Sequence, residues 1–335
     1  QSKTWFSAIE NNFFDKIGRL RLHLPIVYLK FNRCDVTKDR TELNNSRAIL
    51  FHADDLWENR QSLLATLYNP VVPLPTHRNT NQVWVLWSVE PVCHLFGDAP
   101  PHVFNWTAHY RRDSTIFIPY ATYLKKSTSA TNSNHNGQSG PLINYFASKT
   151  KMAVTVASNC RVPSRRYRII RELSKFVDID EFGSCTGHVV CPKNRGKLEC
   201  DKYVIDYKFY LAFENSYCRD YISEKFWRAL ERNQIPVIAA SDASLELLPN
   251  NSYLNVFDFP TMKDLANRMI EIGNDEQLYN SFFLWKKDHV KDEEHAFCKL
   301  CRALHENRTH QSYHDLEGWI TYDSCSKPSV SILYY

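Results

Sequence analysis

The stretch from Tyr207 to Ala240, YKFYLAFENSYCRDYISEKFWRALERNQIPVIAA, constrains the fold more than any other. Tyr207 to Phe213 is a short apolar and aromatic run of strand type, and Ile235 to Ala239 is a second. Between them, Glu224 to Arg232 carries Phe226, Ala229 and Leu230 at helical spacing, with charges on the other side. Ser223 stands where an N-cap belongs, and Asn233 and Pro236 end the helix. The whole reads as one β-α-β unit.

Polar residues gather at its first turn. Glu214, Asn215, Tyr221, Glu224 and Lys225 all fall between the end of the first strand and the first helical turn. In an open parallel sheet, ligands bind at the carboxyl ends of the strands. A helix N-terminus offers unpaired N–H groups and a partial positive charge, and Lys225 adds a full charge beside them. That combination suits a diphosphate. The same residues also read as an ordinary capped helix with a surface lysine, and chemistry alone does not choose.

The segment FYLAFENS, followed by DYISEKFWRAL and IPVI, resembles the donor-binding signature of the α1,3/α1,4-fucosyltransferases, which transfer fucose from GDP-fucose. Two departures concern turn geometry and not the charged residues. The family often has Gly shortly before the second strand and again just after it, where this chain has Asn233–Gln234 and Ala240.

A chain of 335 residues with 43% hydrophobic content buries one large core or two ordinary ones, and this length favours two. A net charge of +4 does not indicate a nucleic-acid partner, because 41 basic residues are nearly balanced by 37 acidic ones. Nine glycines stand against roughly 23 expected at an average usage of about 7%. No GxGxxG or P-loop is present, so side chains and helix termini must hold any nucleotide. Ten cysteines form an even set, and Asn-x-Ser/Thr sequons occur at Asn44, Asn105, Asn250 and Asn307. Together they favour an oxidising, secretory-pathway compartment over a cytosolic protein with reduced thiols.

No window approaches the roughly 20 apolar residues of a membrane span. A start at Gln1 without Met suggests a trimmed or mature fragment. The resemblance implies a type II Golgi protein, luminal and attached to the membrane only through an N-terminal anchor that this sequence lacks.

The first half reads as a separate α/β domain. Leu24 to Leu29, Arg47 to Phe51 and Gln82 to Trp87 are strand-like, and a helical stretch lies around Leu56 to Tyr68. Alternation of strands and helices argues for a parallel sheet covered on both faces. Glu90 stands just past the carboxyl end of a buried strand, where function concentrates, and Pro91 limits the local backbone. A glutamate among apolar neighbours can have its pKa raised, which suits a general base, although a surface loop carboxylate fits the same position. The segment WVLWSVEPV resembles the family's strand leading to its catalytic glutamate, with Glu-Pro in place of the common Glu-Ser-Pro. Downstream, FNWTAHYRRDSTIFIPY resembles a second family block near the acceptor side, and Ile116 to Ile118 also reads simply as a strand.

Lys125 to Pro141, KKSTSATNSNHNGQSGP, has no capacity for a packed core and reads as a mobile loop at or near the domain boundary. The second domain opens with the strand Met152 to Val156, then Ser158-Asn159-Cys160 and a basic helix with Arg161, Arg165, Arg166, Arg168 and Arg171. Most of these arginines read as a solvated face. Arg166, seven residues after Asn159, matches in the resemblance an arginine that approaches the donor phosphates, where bidentate binding is possible.

Asp178-Ile179-Asp180 matches the two-carboxylate metal signature of another glycosyltransferase class, but three-residue matches arise easily by chance, and here a strand reads as running into a turn. The histidines show no HExxH pairing, and Cys298-x-x-Cys301, lacking a second CxxC, reads as a disulfide pair. Helix signals run from Met262 to Ile272 and from Gln277 through Trp285 toward Cys301; whether the tail packs back on the first domain is open.

The expectation is an α/β chain of two facing Rossmann-like domains, the GT-B type. An acceptor-side domain over 1–148 carries Glu90, and a donor-binding domain over 149–335 holds the nucleotide sugar. The resemblance implies an inverting α1,3-fucosyltransferase that moves fucose from GDP-fucose to the 3-hydroxyl of a GlcNAc in a glycoprotein N-glycan. Glu90 would be the base, and Ser158, Asn159, Arg166, Tyr210, Asn215, Tyr221, Glu224 and Lys225 would line the donor site. No metal or other cofactor is expected. A protein O-fucosyltransferase of the same fold, or a nucleotide-sugar or glycan-binding protein without catalysis, are the alternatives.

Overall fold

Two β-sheets, each covered on both faces, account for the described core of the computed structural model. The structure describes residues 26–30, 35–53, 56, 74–91, 102–126, 143–190, 200–306, 312–322 and 324–326. The first sheet contains β1 (Ile26–Lys30), β2 (Asp35–Thr37), β3 (Ala48–His52), β4 (Val83–Trp87), β5 (Trp106–His109) and β6 (Ile116–Phe117), in the order β2-β1-β3-β4-β5-β6. Strands β3 to β6 are parallel, as alternation predicted. The departure is β1, which runs antiparallel to both β2 and β3. The chain between Lys30 and Ala48 turns back through β2, which itself pairs with β1, and the 3-10 turn Arg40–Asn45, so β1 meets β3 in the antiparallel sense.

Period-two alternation divides this sheet cleanly. Ile49, Phe51, Trp84 and Leu86 pack on one face, and Ala48, Leu50, Val83, Val85 and Trp87 on the other. With both faces apolar, the strands read as continuous hydrophobic runs, which is why RAILF and QVWVLW stood out.

The second sheet has strand order β13-β12-β10-β8-β9 and is parallel throughout. Its strands are β8 (Lys151–Val156), β9 (Ile179–Phe182), β10 (Tyr207–Leu211), β12 (Ile235–Ile238) and β13 (Leu254–Asn255). On one face lie α1 (Arg166–Leu173), α4 (Met262–Asn274) and α5 (Glu276–Ser281), which bury Ile169, Met269 and Tyr279 against Phe209 and Leu211. On the other face α2 (Glu224–Glu231) sets Phe226, Ala229 and Leu230 against Tyr210 and Ala212. The small helix α3 (Asp242–Leu245) follows β12.

Helix α2 begins and ends for identifiable reasons. The Ser223 hydroxyl accepts from the Lys225 N–H at 3.4 Å. At the other end Asn233 takes a left-handed conformation, φ 57°. Its N–H donates to Leu230 O at 3.1 Å, and that of Gln234 donates to Ala229 O at 2.9 Å. This is a Schellman cap with asparagine in the glycine position, so the missing glycine before β12 leaves the turn intact.

The expected helical run from Gln277 toward Cys301 is broken. After α5 comes the 3-10 turn Leu284–Lys287, where Trp285 is buried beside α2, then the strand β14 (His289–Lys291) and helix α6 (Ala296–His305). β14 pairs antiparallel with β7 (Tyr123–Lys125). The break lets the chain return to the first sheet. Phe297, Leu300 and Leu304 of α6 pack against β3 to β6, and Leu316 and Ile320 of α7 (Leu316–Thr321) pack on the opposite face. A division of the chain at 148/149 therefore assigns α6 and α7 to a sheet they do not cover.

The two units meet along a polar seam. The Arg112 N–H and Nε donate to Asp220 at 3.0 and 3.1 Å, and Arg219 pairs with Asp113 at 2.6 Å. A Cys218–Cys325 disulfide joins β11 (Tyr217–Cys218) to β15 (Cys325–Ser326), and a second disulfide links Cys160 to Cys185. Cys301 is disulfide-bonded, and not to Cys298, which corrects the expected CxxC bridge. Among the described residues no helix is long and apolar enough to cross a membrane. The stretch 57–68 of the expected first-domain helix and the stretch 127–141 of the polar loop lie outside the described residues.

Candidate active site

The site is assembled where the carboxyl ends of β8 and β10 approach the carboxyl end of β4. On leaving β10 the chain places Glu214 in the interior, at 6% exposure. Its carboxylate accepts from the Ser223 N–H and hydroxyl, both at 2.8 Å, and so clamps the start of α2. Lys225 then folds back, with Nζ at 3.3 Å from Glu214, 2.9 Å from the Ser223 hydroxyl and 3.1 Å from Glu224. Burial pushes the Glu214 pKa up, and the Lys225 charge only partly offsets this. Burial opposes the charge on Lys225, yet Glu214 and Glu224 prevail and raise its pKa. For Glu224 burial also acts upward, but Lys225 beside it holds the carboxyl below its usual range.

The full charge expected at the helix start is thus present but held by two carboxylates. Glu214, present in the sequence signature but not counted among donor-site residues, is the centre of the arrangement. Its burial could not be read from its position three residues past the end of β10.

Arg166 is buried and has different partners. Its Nη1 donates to Phe213 O at 3.1 Å and its Nη2 to Asn159 O at 2.9 Å. These are carbonyl oxygens, so the guanidinium charge is not neutralised by them. Ser164 fastens the same loop, donating from its hydroxyl to Glu214 O at 2.7 Å and from its N–H to Asn215 O at 3.0 Å. Gly183, φ 120°, lies so close to this loop that a Cβ there would meet Ala157 O at 2.0 Å. Arg166 Nε, Asn215 Oδ1 and the Tyr217 hydroxyl are buried without hydrogen-bond partners. These atoms share one loop system at strand carboxyl ends, where a bound ligand could supply the partners they lack. Ser158 and Asn159 are exposed beside it. Tyr210 is buried under α2, with the Arg232 guanidinium 4.6 Å from its ring centre, and its phenol also acts on the Lys225 charge at the start of that helix.

Across the seam, Glu90 follows β4, half-buried, with its N–H donating to the Ser88 hydroxyl at 3.1 Å. The Tyr120 hydroxyl donates to Val89 O at 3.0 Å. Tyr120 packs against both domains' cores and faces Tyr221, with ring centres 6.3 Å apart. Burial first, and then the charges of Glu90, Glu224 and Glu214, raise the Tyr120 pKa. The same three carboxylates act on Tyr221, whose pKa burial also raises. Glu90 of the first domain and Glu214 and Glu224 of the second thus act on one pair of phenols. Sequence reasoning missed Tyr120, since a tyrosine after Ile-Pro carries no local sign of its partner. Beneath Glu90 lies His109, 3% exposed, its pKa lowered to about 3 by burial and by Arg111.

The remaining candidates fall elsewhere. Asp180 bonds the Tyr207 hydroxyl and lies 3.6 Å from Lys151 Nζ, toward the amino ends of β8 and β10. Asp178 precedes β9, so a strand starts within this DxD rather than ending there. Among the described residues no group of three His, Cys, Asp or Glu side chains could hold a metal ion. Asn44 and Asn250 are exposed, whereas Asn105 is buried and its Oδ1 accepts from the Trp84 N–H at 2.8 Å and from Arg78. Asn105 thereby supports the β4–β5 pairing and is withdrawn from the surface. Asn307 lies outside the described residues.

Comparison with known proteins decides the family. The model for the C-terminal part of glycosyltransferase family 10 (fucosyltransferase) matches residues 146–319, and the fucosyltransferase N-terminal model matches 6–121. The chain belongs to glycosyltransferase family 10. Among similar family members, glycoprotein 3-alpha-L-fucosyltransferase A of Drosophila melanogaster is 33% identical over 88% of this chain and 56% of its own length. Alpha-(1,3)-fucosyltransferase C of the same species is 31% identical over 92% and 72%, and human alpha-(1,3)-fucosyltransferase 7 is 33% identical over 86% and 78%. The chain thus spans little more than half of the first of these relatives. A crystal structure of alpha1,3-fucosyltransferase with GDP aligns over 83% of this chain and 82% of that one, with TM-score 0.49 and 16% identity. The two-domain α/β architecture expected for the family is present.

Proposed function

We propose that this protein is an inverting α1,3-fucosyltransferase that moves fucose from GDP-fucose to the 3-hydroxyl of a GlcNAc in a glycoprotein N-glycan. The observation that carries this reading is the position of Glu90, across the seam from Glu214 and Glu224 and beside the Tyr120–Tyr221 pair. Glu90 takes the proton from the acceptor hydroxyl while that oxygen attacks the anomeric carbon of fucose. The bond from that carbon to the β-phosphate oxygen breaks on the opposite side, and its electron pair leaves with GDP. Arg166, which donates to the carbonyls of Phe213 and Asn159 and has no carboxylate beside it in these bonds, and Lys225 offset the charge that develops there. The orphaned atoms of Arg166 and Asn215 face the same bound donor. Two cations and a helix N-terminus do this electrostatic work, so no metal is assigned a part. The Cys160–Cys185 and Cys218–Cys325 disulfides fit an oxidising lumen, and we place the protein in the Golgi.

The test is transfer to a GlcNAc-terminated N-glycan, read by mass spectrometry, with GDP-fucose affinity measured on the same preparation. Glu90→Gln keeps shape and hydrogen bonding but accepts no proton, so transfer falls by roughly 10²- to 10⁴-fold while donor affinity holds. Retention of more than about a third of wild-type turnover overturns this role.

A further inference from the structure

Two short segments from opposite sides of the seam lock into one another. Arg112-Asp113 lies shortly after β5 in the first domain, and Arg219-Asp220 follows β11 in the second. Each arginine pairs with the other segment's aspartate: Arg112 Nε lies 3.1 Å from Asp220, and Arg219 Nη2 lies 2.6 Å from Asp113. The Asp220 side chain is only 3% exposed, and its carboxylate also accepts from the Arg112 N–H at 3.0 Å. Arg112 reaches further, donating to Ala243 O at 2.9 Å and pairing with Glu246, beside α3. The first domain thus grips the chain after β10 and again after β12, at the ligand-binding end of the second sheet.

The gripped segment belongs to the second domain in sequence but to the first in packing. Cys218 and Tyr221 are buried in the first domain's core with Phe51, Trp84 and Leu316, and the rings of Tyr110 and Tyr221 are 4.9 Å apart. The Arg219 N–H donates to Ser324 O at 2.7 Å, and the Ser324 hydroxyl accepts from Arg111 at 2.8 Å. Asp220 takes a left-handed conformation, φ 62°, which a non-glycine residue keeps only when its surroundings hold it there. Both domains do so: its N–H donates to the Ser244 hydroxyl at 2.9 Å, and its carboxylate is held by Arg112. Shortly after Asp220, Ser223 caps α2, and Lys225 follows. On the other side the grip leads toward Glu90, since the Ser88 N–H donates to Ala108 O at 3.1 Å on the strand that runs into Arg112.

We propose that Arg112 and Asp220 are positioning residues for the transfer reaction: their pairing across the seam sets the start of α2, with Lys225, against Glu90. The inference rests on the fucosyl-transfer reading for the reaction it serves. Base and donor cations stand on different domains, so the distance between them is a property of the seam and not of either domain alone. A displacement of about 1 Å there costs on the order of 10²-fold in rate. Lys225 keeps Glu214 and Ser223 as partners inside the second domain, so GDP affinity does not depend on the pair.

The experiment compares Arg112→Gln, Asp220→Asn and the double variant with the wild type in transfer rate, GDP affinity and urea unfolding. Asparagine tolerates the left-handed conformation and still accepts from the Arg112 N–H, so Asp220→Asn removes the charge and little else. Each single variant should lower kcat per folded molecule about tenfold or more, with GDP affinity within about twofold of wild type. The double variant should lose no more than either single one, as for two residues that act as a unit. Arg112→Lys, which keeps the charge, should recover part of the loss. Unchanged kcat in the single variants, or losses that multiply in the double one, overturns the pair's role. Should Asp220→Asn fail to fold, Arg219→Gln and Asp113→Asn break the outer pair, 29% and 43% exposed, and are held to the same outcomes. Amide hydrogen exchange over 217–225 requires no reaction, and Arg112→Gln should speed it. Exchange unchanged from wild type overturns the grip on this loop. Faster exchange in a protein whose wild type shows no transfer supports the grip and removes the transfer reading instead.

Discussion

Lys225 Nζ lies 3.3 Å from the carboxylate of Glu214, with the two side chains only 20% and 7% exposed. A lysine in that position is a structural ion-pair partner and a candidate phosphate ligand at once, and the two roles are separable. Lys225→Ala leaves Glu214 buried without its cation, which costs about 1–3 kcal/mol of stability and weakens GDP binding tenfold or more. Adding Glu214→Gln removes the stranded charge, so the double variant regains stability while GDP affinity stays low. Arg166→Ala, which loses a cation that donates to the carbonyls of Phe213 and Asn159, weakens GDP binding comparably. Urea unfolding and GDP calorimetry on the same proteins check this. Unchanged GDP affinity in both Lys225→Ala and Arg166→Ala removes the donor-site assignment.

Stability in mild acid should depend on His109. Its folded pKa is about 3 against an ordinary 6.5. Between those values the unfolded chain carries a proton that the folded chain does not, so stability falls as pH drops through the window. The limiting slope is about 1.4 kcal/mol per pH unit for a single group. Glu214 acts in the opposite sense: its raised pKa contributes stability below the ordinary carboxylate value, lost as pH rises through the folded one. His109→Gln, which does not titrate, should therefore show a shallower loss of stability from pH 7 to pH 5. Parallel slopes for wild type and variant in urea unfolding would refute the assignment.

Transfer should survive EDTA to a substantial degree, and Asp178→Asn should be mild. Asp180 is engaged by Tyr207 and Lys151 toward the amino ends of the second sheet, away from the loops that carry Arg166 and Lys225. Complete loss in EDTA, restored by Mn²⁺ or Mg²⁺, would give these aspartates the catalytic part that their position argues against.

The amino-acid sequence by itself determined the local structure and the family. Apolar runs at β3, β4, β8, β10 and β12, buried on both faces, announce a parallel sheet, and Ser223 and Asn233 cap α2 through contacts within a few residues. Such signals are short-range and survive in a linear reading. The ordered polar residues of FENS and SEK likewise sufficed for the resemblance. Only the tertiary structure decided the rest, because each remaining feature depends on contacts between distant segments. Tyr120 meets Val89 across 31 residues, Arg112 meets Asp220 across 108, and Cys218 meets Cys325 across 107. The return of α6 and α7 to the first sheet, the commitment of Lys225 to Glu214 and the withdrawal of Asn105 beneath Trp84 are of this kind. Burial and pairing of a charged or polar side chain are properties of its surroundings, and those surroundings are made by chain folded from elsewhere.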